Sequence, residues 1–312
     1  MSLPSPANLA RLYFTAQAVA GAAWWVCVLT MPLVRTATLG SLHPGLVALL
    51  DIPLFVVASA LAAVLPGRAV RIPSAIATVW TVLVTGLLAI YATVTGEAGW
   101  GVVLMAGASA GSVMALSLST LGRIPTEWII AGPFAFRVAR SHRSPAAHLA
   151  VTLVQITVFW GIFLGVIPVI LAMLEQRWGL AVTLPIAVPV TGAVLFVLAS
   201  IPGLWSAVTF NLRGDGTPLP SAMPSRLVIA GPYRFIRNPM AVSGILQGVA
   251  VGLMLSSWLV VVYAIIGSLV WNYAVRPWEE ADLLARFGDD YRRYRDRVRC
   301  WVPRLDAGRG PL

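Results

Sequence analysis

Apolar residues along this chain gather into runs long enough to cross a bilayer, separated by short segments that hold almost all of the charge. A membrane helix needs about 20 predominantly apolar residues. Eight runs meet or approach that length: Leu9–Leu33, Leu46–Leu65, Pro73–Thr95, Trp100–Leu121, His148–Leu174, Leu180–Trp205, Met240–Leu255 and Trp258–Val275. The last two lie in one apolar stretch of 36 residues, too long for a single span, with Ser256-Ser257 near its middle; this predicts a tight helical hairpin. Beyond it, Leu283, Leu284, Phe287, Tyr291, Tyr294 and Val298 recur at helical spacing with charge on the opposite side. They predict an amphipathic helix pair, interrupted at Gly288 and lying against the membrane face. The first apolar run is long and lacks a basic leader, so no cleavable signal peptide is expected. The predicted fold class is all-α: a polytopic transmembrane helical bundle of about eight spans, with a C-terminal helical hairpin and a cytoplasmic amphipathic helix.

Composition narrows the class further. Of 312 residues, 58% are hydrophobic and 11% charged, against about 25% charged in a soluble domain. Mean hydropathy is +0.83. A soluble enzyme and a disordered chain are both excluded. Cys27 sits in an apolar run and Cys300 in an arginine-rich tail, so no bridge between them is expected. All 22 basic residues are arginine, which fits a genome favouring Arg codons and removes any lysine Schiff-base or P-loop chemistry. With a cytoplasmic N-terminus, 20 arginines fall on the inner side and only Arg35 and Arg177 on the outer. That asymmetry is the positive-inside signature. It accounts for the net charge of +10 without nucleic acid as a partner. The chain is expected in a bacterial inner membrane with both termini in the cytoplasm.

Two regions are expected: residues 1–122, four spans with little polar content, and residues 123–312, four spans with the long polar loops and the tail. Ile130-Ala-Gly-Pro-Phe134 echoes Ile229-Ala-Gly-Pro-Tyr233, too briefly to argue duplication. Asp51, near the start of the second run, reads as a helix-start cap in water. Gln155 and Gln247 lie deeper and suit interhelical hydrogen bonding or a cavity lining. His43, His142 and His148 show no ligand spacing, so no metal is expected. The tryptophans Trp24, Trp25, Trp100, Trp178, Trp205 and Trp258 fit interfacial belts.

Two polar segments flank the final hairpin. In Arg226–Met240, Gly231-Pro232 demands a turn and Asn238-Pro239 a second break. Arg234 and Arg237, three apart, would share a face of a helical turn. In Arg276–Val298, Glu279 and Glu280 stand beside the span end. The hairpin returns the chain to the side it left, which brings the two segments together at the cytoplasmic surface. Guanidiniums, two carboxylates and a glycine-permitted backbone approach suit an amphiphilic ligand carrying both an amine and a carboxylate. The arginines after Gly288 read as headgroup anchors. Adjacent acids on the positive side do not, and need a specific cationic partner.

In order, Gly231-Pro-Tyr233, Arg237-Asn238-Pro239, a hairpin, Arg276, Glu279-Glu280, Phe287-Gly288, Tyr291 and Tyr294 resemble the C-terminal signature of the isoprenylcysteine carboxyl methyltransferase family, which is similar to the phospholipid N-methyltransferases. The resemblance covers about 80 residues and leaves the first 122 unexplained. It implies an integral-membrane methyltransferase that uses S-adenosyl-L-methionine outside any Rossmann fold. The implied cofactor-binding residues are Arg226, Leu227 and Val228 through their backbone, Gly231, Tyr233, Arg237, the wall Asn238, Pro239, Met240 and Ala241, and the acids Glu279 and Glu280. Glu280 would hold the cofactor's amino group or sulfonium end, and Arg276 would orient the acceptor; Arg276 and Glu280 are the implied catalytic pair. Asn238 stands where His is usual and cannot titrate, and Ala241 stands where Tyr is usual and leaves room. The expected reaction is methyl transfer to a lipophilic acceptor in contact with membrane lipids, as carboxyl O-methylation of an isoprenylcysteine-like substrate. The alternatives are a phospholipid or lipid-amine N-methyltransferase, a sterol-reductase-like enzyme using NADPH, and a transporter.

Overall fold

The computed structural model describes residues 4–129, Val154, 157–214 and 226–303. Gln155, His142, His148, Arg137, Arg140, Arg143 and the Ile130–Phe134 echo lie outside the described residues. All regular structure among the described residues is helical. Among the described residues seven helices are long and apolar enough to cross a bilayer. The chain is an integral membrane protein whose residues group into two compact units: 1–125 with 174–181, and 126–173 with 182–312.

The first unit contains α1 (Pro6–Thr30), the short α2 (Pro32–Leu39), α3 (Pro44–Val64), α4 (Arg71–Thr95) and α5 (Gly99–Leu121). Ser5 starts α1 by accepting from the Asn8 amide at 3.3 Å, with Pro6 at the first helical position, where its missing N–H costs nothing. Small residues set the packing. A Cβ on Gly21 would lie 2.6 Å from the Phe55 ring, and one on Gly111 would lie 2.2 Å from the Tyr13 ring. Where apolar burial cannot distinguish protein from lipid, close packing and interhelical hydrogen bonds carry the association. Accordingly the Gln17 side chain donates to Ser59 at 3.0 Å and accepts from Tyr13 at 2.5 Å and from Ser112 at 2.9 Å, tying α1, α3 and α5.

Asp51 does not cap a helix start. It lies seven residues beyond Pro44, 5% exposed, and its two carboxylate oxygens accept from Trp25 Nε1 at 2.9 Å and Trp80 Nε1 at 2.7 Å. Capping at that depth is impossible because the preceding turns already satisfy the local amides. Asp51 instead joins α3 to α1 and α4, and Trp25 and Trp80 serve as its donors. For Trp25 this corrects the expectation of an interfacial belt. The ladder opens into a π-helical stretch at Ile52–Val57, where Pro53 offers no N–H.

The second unit contains most of α6 (Thr157–Arg177), then α7 (Ala187–Gly214), α8 (Pro239–Met254), α9 (Trp258–Val270), a π-helical turn at Trp271–Val275, and α10 (Arg276–Arg297). The run expected at Leu180–Trp205 begins its helix only at Ala187 and carries it to Gly214. Pro185 biases Leu184 away from helical backbone, which delays the start. The expected hairpin is present. Ser256 takes φ +50°, and the Ser257 side chain accepts from the Val260 amide at 3.2 Å to begin α9. Its first arm is short: α8 has 16 residues, about 24 Å of helix against about 30 Å of hydrocarbon. Among the described residues the structure thus holds seven full-length candidates and one shorter arm, the latter coinciding with the run expected at Met240–Leu255. Glycines let α7, α8 and α9 approach closely. A Cβ on Gly192 would meet the Ala250 carbonyl at 2.7 Å, and one on Gly252 would meet a Val261 side chain at 2.6 Å. Gln247 is 1% exposed and donates to Ser200 at 2.8 Å, so it joins helices.

Candidate active site

The site is built around the turn that precedes α8. Gly231 takes φ +56°, and a Cβ there would lie 2.6 Å from Thr209 Oγ1 of α7, so both conformation and space require glycine. The chain then makes one 3-10 turn, Gly231–Arg234, which buries Pro232 and Tyr233. The Tyr233 ring lies 5.8 Å from Phe210 of α7, and its carbonyl accepts from the Tyr294 hydroxyl at 2.7 Å. Because the turn is 3-10 and ends at once, Arg234 and Arg237 do not share a face. Arg234 is exposed, whereas the Arg237 side chain is 12% exposed.

The Arg237 Nη1 atom lies 3.1 Å from Glu280 Oε1, and Arg276 Nη1 donates to the same oxygen at 3.2 Å. One carboxylate is therefore held between guanidiniums from both polar segments. The Arg237 contact is an ion pair without hydrogen-bond alignment, and the buried Nε and Nη1 of Arg237 have no hydrogen-bond acceptor. The Asn238 side chain donates to Cys300 Sγ at 3.2 Å, which Arg276 Nη1 also approaches at 3.7 Å. The Arg237 amide donates to the Arg299 carbonyl at 3.0 Å. Asn272 completes this wall: its carbonyl accepts from Arg276 Nε at 3.4 Å, and its side chain accepts from Trp301 Nε1 at 2.9 Å.

Gly288, at φ +51°, breaks α10 and redirects its second half. Tyr291, Tyr294 and Val298 then pack with Leu283, Leu284 and Phe287 onto Leu227 and Ile229. This corrects the expectation that the amphipathic stripe lies on the membrane: the protein's own extended segment covers it. Of the implied binding residues, Val228 and Pro239 are buried, Met240 and Ala241 half-buried, and Arg226 is exposed at the segment's start. The Leu227 side chain is taken up by α10 packing.

Glu279 differs from its neighbour. It has no ion pair among the described residues, and its carboxyl is pushed up to about 7 by burial, then by the negative charges of Glu280 and Asp282. Burial also raises the hydroxyls of Tyr233 and Tyr294, and that of Tyr291 to about 12, so all three stay neutral donors at physiological pH. Cys300 and Asn272 are site residues that motif spacing does not single out, whereas Trp301-Val-Pro303 ends the signature that the sequence resembles. The sequence signal for Cys300 is its place two residues past Val298, the last residue of the apolar stripe.

Residues 187–290 match the family model described as phospholipid methyltransferase. Through these residues, a third of its length, the chain is similar to that family. The match runs from the first residue of α7 into α10 and contains Gly231, Tyr233, Arg237, Asn238, Arg276, Glu279 and Glu280. The match supports a membrane methyltransferase, and members of that family generally use S-adenosylmethionine. No curated protein and no solved structure matches the chain.

Proposed function

We propose that this protein binds S-adenosylmethionine between the Gly231–Met240 segment and the start of α10 and methylates the amine of a lipid. The observation that carries the reading is the split between the two acids. Glu280 is neutralised by Arg237 and Arg276, while Glu279, one residue away, has no cation among the described residues. The residues fit the cofactor. Among the described residues Arg237 has buried N–H groups without an acceptor, suited to the cofactor's carboxylate.

When bound, S-adenosylmethionine supplies an electrophilic methyl on a sulfonium whose departure is neutral. The chain's own residues then position and desolvate the reactants. Glu280 keeps Arg237 and Arg276 in place. The Tyr294 hydroxyl fixes the Gly231–Arg234 turn through the Tyr233 carbonyl. Glu279, near neutrality, can take the proton of an ammonium acceptor and leave the amine lone pair free. Carboxyl O-methylation of a prenylcysteine-like acid would need Arg276 to align the acceptor, but Arg276 is already occupied by Glu280. This favours the lipid amine. The 20-to-2 arginine split supports the same reading, since a cytoplasmic face at this end of α9 is where a water-soluble cofactor would arrive.

Two measurements test the reading. S-adenosylhomocysteine should raise the melting temperature of the solubilised protein by mass action, and Glu280→Gln should abolish the rise. Labelled methyl groups should then enter aminophospholipids and not prenylated thioether acids. Labelling of the acids alone would overturn the amine assignment, and no thermal shift would overturn cofactor binding.

A further inference from the structure

A second cleft, of about 510 Å³, opens in the first unit at the end opposite the N-terminus of α1. It lies outside the family match and uses none of the candidate active-site residues. Its walls come from the end of α2 (Thr36, Ala37), the Gly40-Ser41 turn, the Gly96–Trp100 connection between α4 and α5, and Trp178-Gly179.

Glu97 is the only ionisable side chain in the lining. Its Oε2 accepts from the Tyr91 hydroxyl at 2.7 Å and the Ser41 amide at 2.8 Å. The Tyr91 hydroxyl, then Ser41, hold its carboxyl below the ordinary range, so it is charged at neutral pH. No cation among the described residues pairs with it. Arg177, the nearest guanidinium in sequence to the Trp178 wall, is committed to the carbonyls that end α4, at Thr93 and Val94. Trp178 is held by its own hydrogen bond to Thr93 Oγ1 at 3.0 Å.

The backbone has been shaped to keep this arrangement. Gly40, at φ +60°, has no Cβ where one would sit 2.6 Å from Glu97 Oε2. A Cβ on Gly99 would lie 2.1 Å from the Trp178 carbonyl. Ala98, 3% exposed, is held at φ +61°, a conformation that non-glycine residues adopt only at a cost. A fixed anion in a cleft that Trp100 and Trp178 also line has the chemistry that recognises organic ammonium groups.

We infer that this cleft is a binding site for an alkylammonium group, carried by a free amine or by a zwitterionic lipid headgroup, with Glu97 as counter-ion and Trp100 and Trp178 as aromatic walls. The test titrates the detergent-solubilised full chain with choline chloride, with sodium chloride at equal ionic strength, and with 3,3-dimethylbutan-1-ol, the uncharged carbon isostere of choline. Binding is read from tryptophan fluorescence and from the melting temperature. Choline should give a saturable response that sodium and the isostere do not give, and Glu97→Gln should weaken it at least tenfold. The isostere comparison needs no variant, so it decides even if Glu97→Gln fails to fold. Reconstitution in phosphatidylcholine against phosphatidylglycerol nanodiscs separates the two sources: pre-occupied, choline-insensitive protein in the former alone points to a headgroup. Equal responses to choline and its isostere, no response at all, or an unchanged response in a folded Glu97→Gln would overturn the inference.

Discussion

Replacing Glu279 by Gln removes a charge that the folded protein holds at a disadvantage. The carboxyl moves from 4.5 to about 7 on folding, with burial the largest cause and Glu280 and Asp282 adding to it. At about 1.36 kcal/mol per unit this is about 3 kcal/mol against the charged form, and the half-buried setting reduces it to about 1–2 kcal/mol. The folded value lies above the unfolded one, so the native state binds more protons between about pH 4.5 and 7. Stability from this group is therefore greatest below that window and falls as pH rises through it. Gln cannot titrate. Glu279→Gln should match the wild type near pH 4.5 and exceed it above pH 7, by about 2–6 °C in melting temperature. Melting curves of both proteins in nanodiscs from pH 4.5 to 8.5 measure this directly. A gap that does not change with pH, or a variant less stable than wild type at pH 8, would refute the assignment of Glu279 as an uncompensated acid. Methyl transfer should fall in the same variant, since the proposed proton acceptor is lost.

Other outcomes follow from the same contacts. Glu280→Gln leaves Arg237 and Arg276 facing each other without their shared anion, and should destabilise by about 1–3 kcal/mol while weakening S-adenosylhomocysteine at least tenfold by calorimetry. Tyr294→Phe removes the donor to the Tyr233 carbonyl, which should cost about 1–2 kcal/mol in thermal unfolding and raise KM for the cofactor more than it lowers kcat. Gly192→Val places a branched side chain against the Ala250 carbonyl and the Met254 amide, backbone atoms that cannot yield, so α7 and α8 should separate and the detergent-extracted yield of monodisperse protein should collapse.

Hydrophobic run length and arginine placement were sufficient to read the bundle, the hairpin and the meeting of the two polar segments. All three depend on one-dimensional quantities: how long an apolar stretch is, where a turn is forced, and which side a chain returns to. The requirement for glycine at 231 and the break at 288 were legible for the same reason. Periodicity marks an apolar face but not what covers it, so the stripe from Leu283 to Val298 reads as a membrane contact until Leu227 and Ile229 are seen beneath it. Asp51 reads as a cap because its donors, Trp25 and Trp80, lie on other helices. Glu279 and Glu280 are chemically identical neighbours, and one helical step of about 100° separates an acid clamped by two arginines from one with none. Only the folded chain assigns those roles, because a side chain's charge state depends on what surrounds it in space.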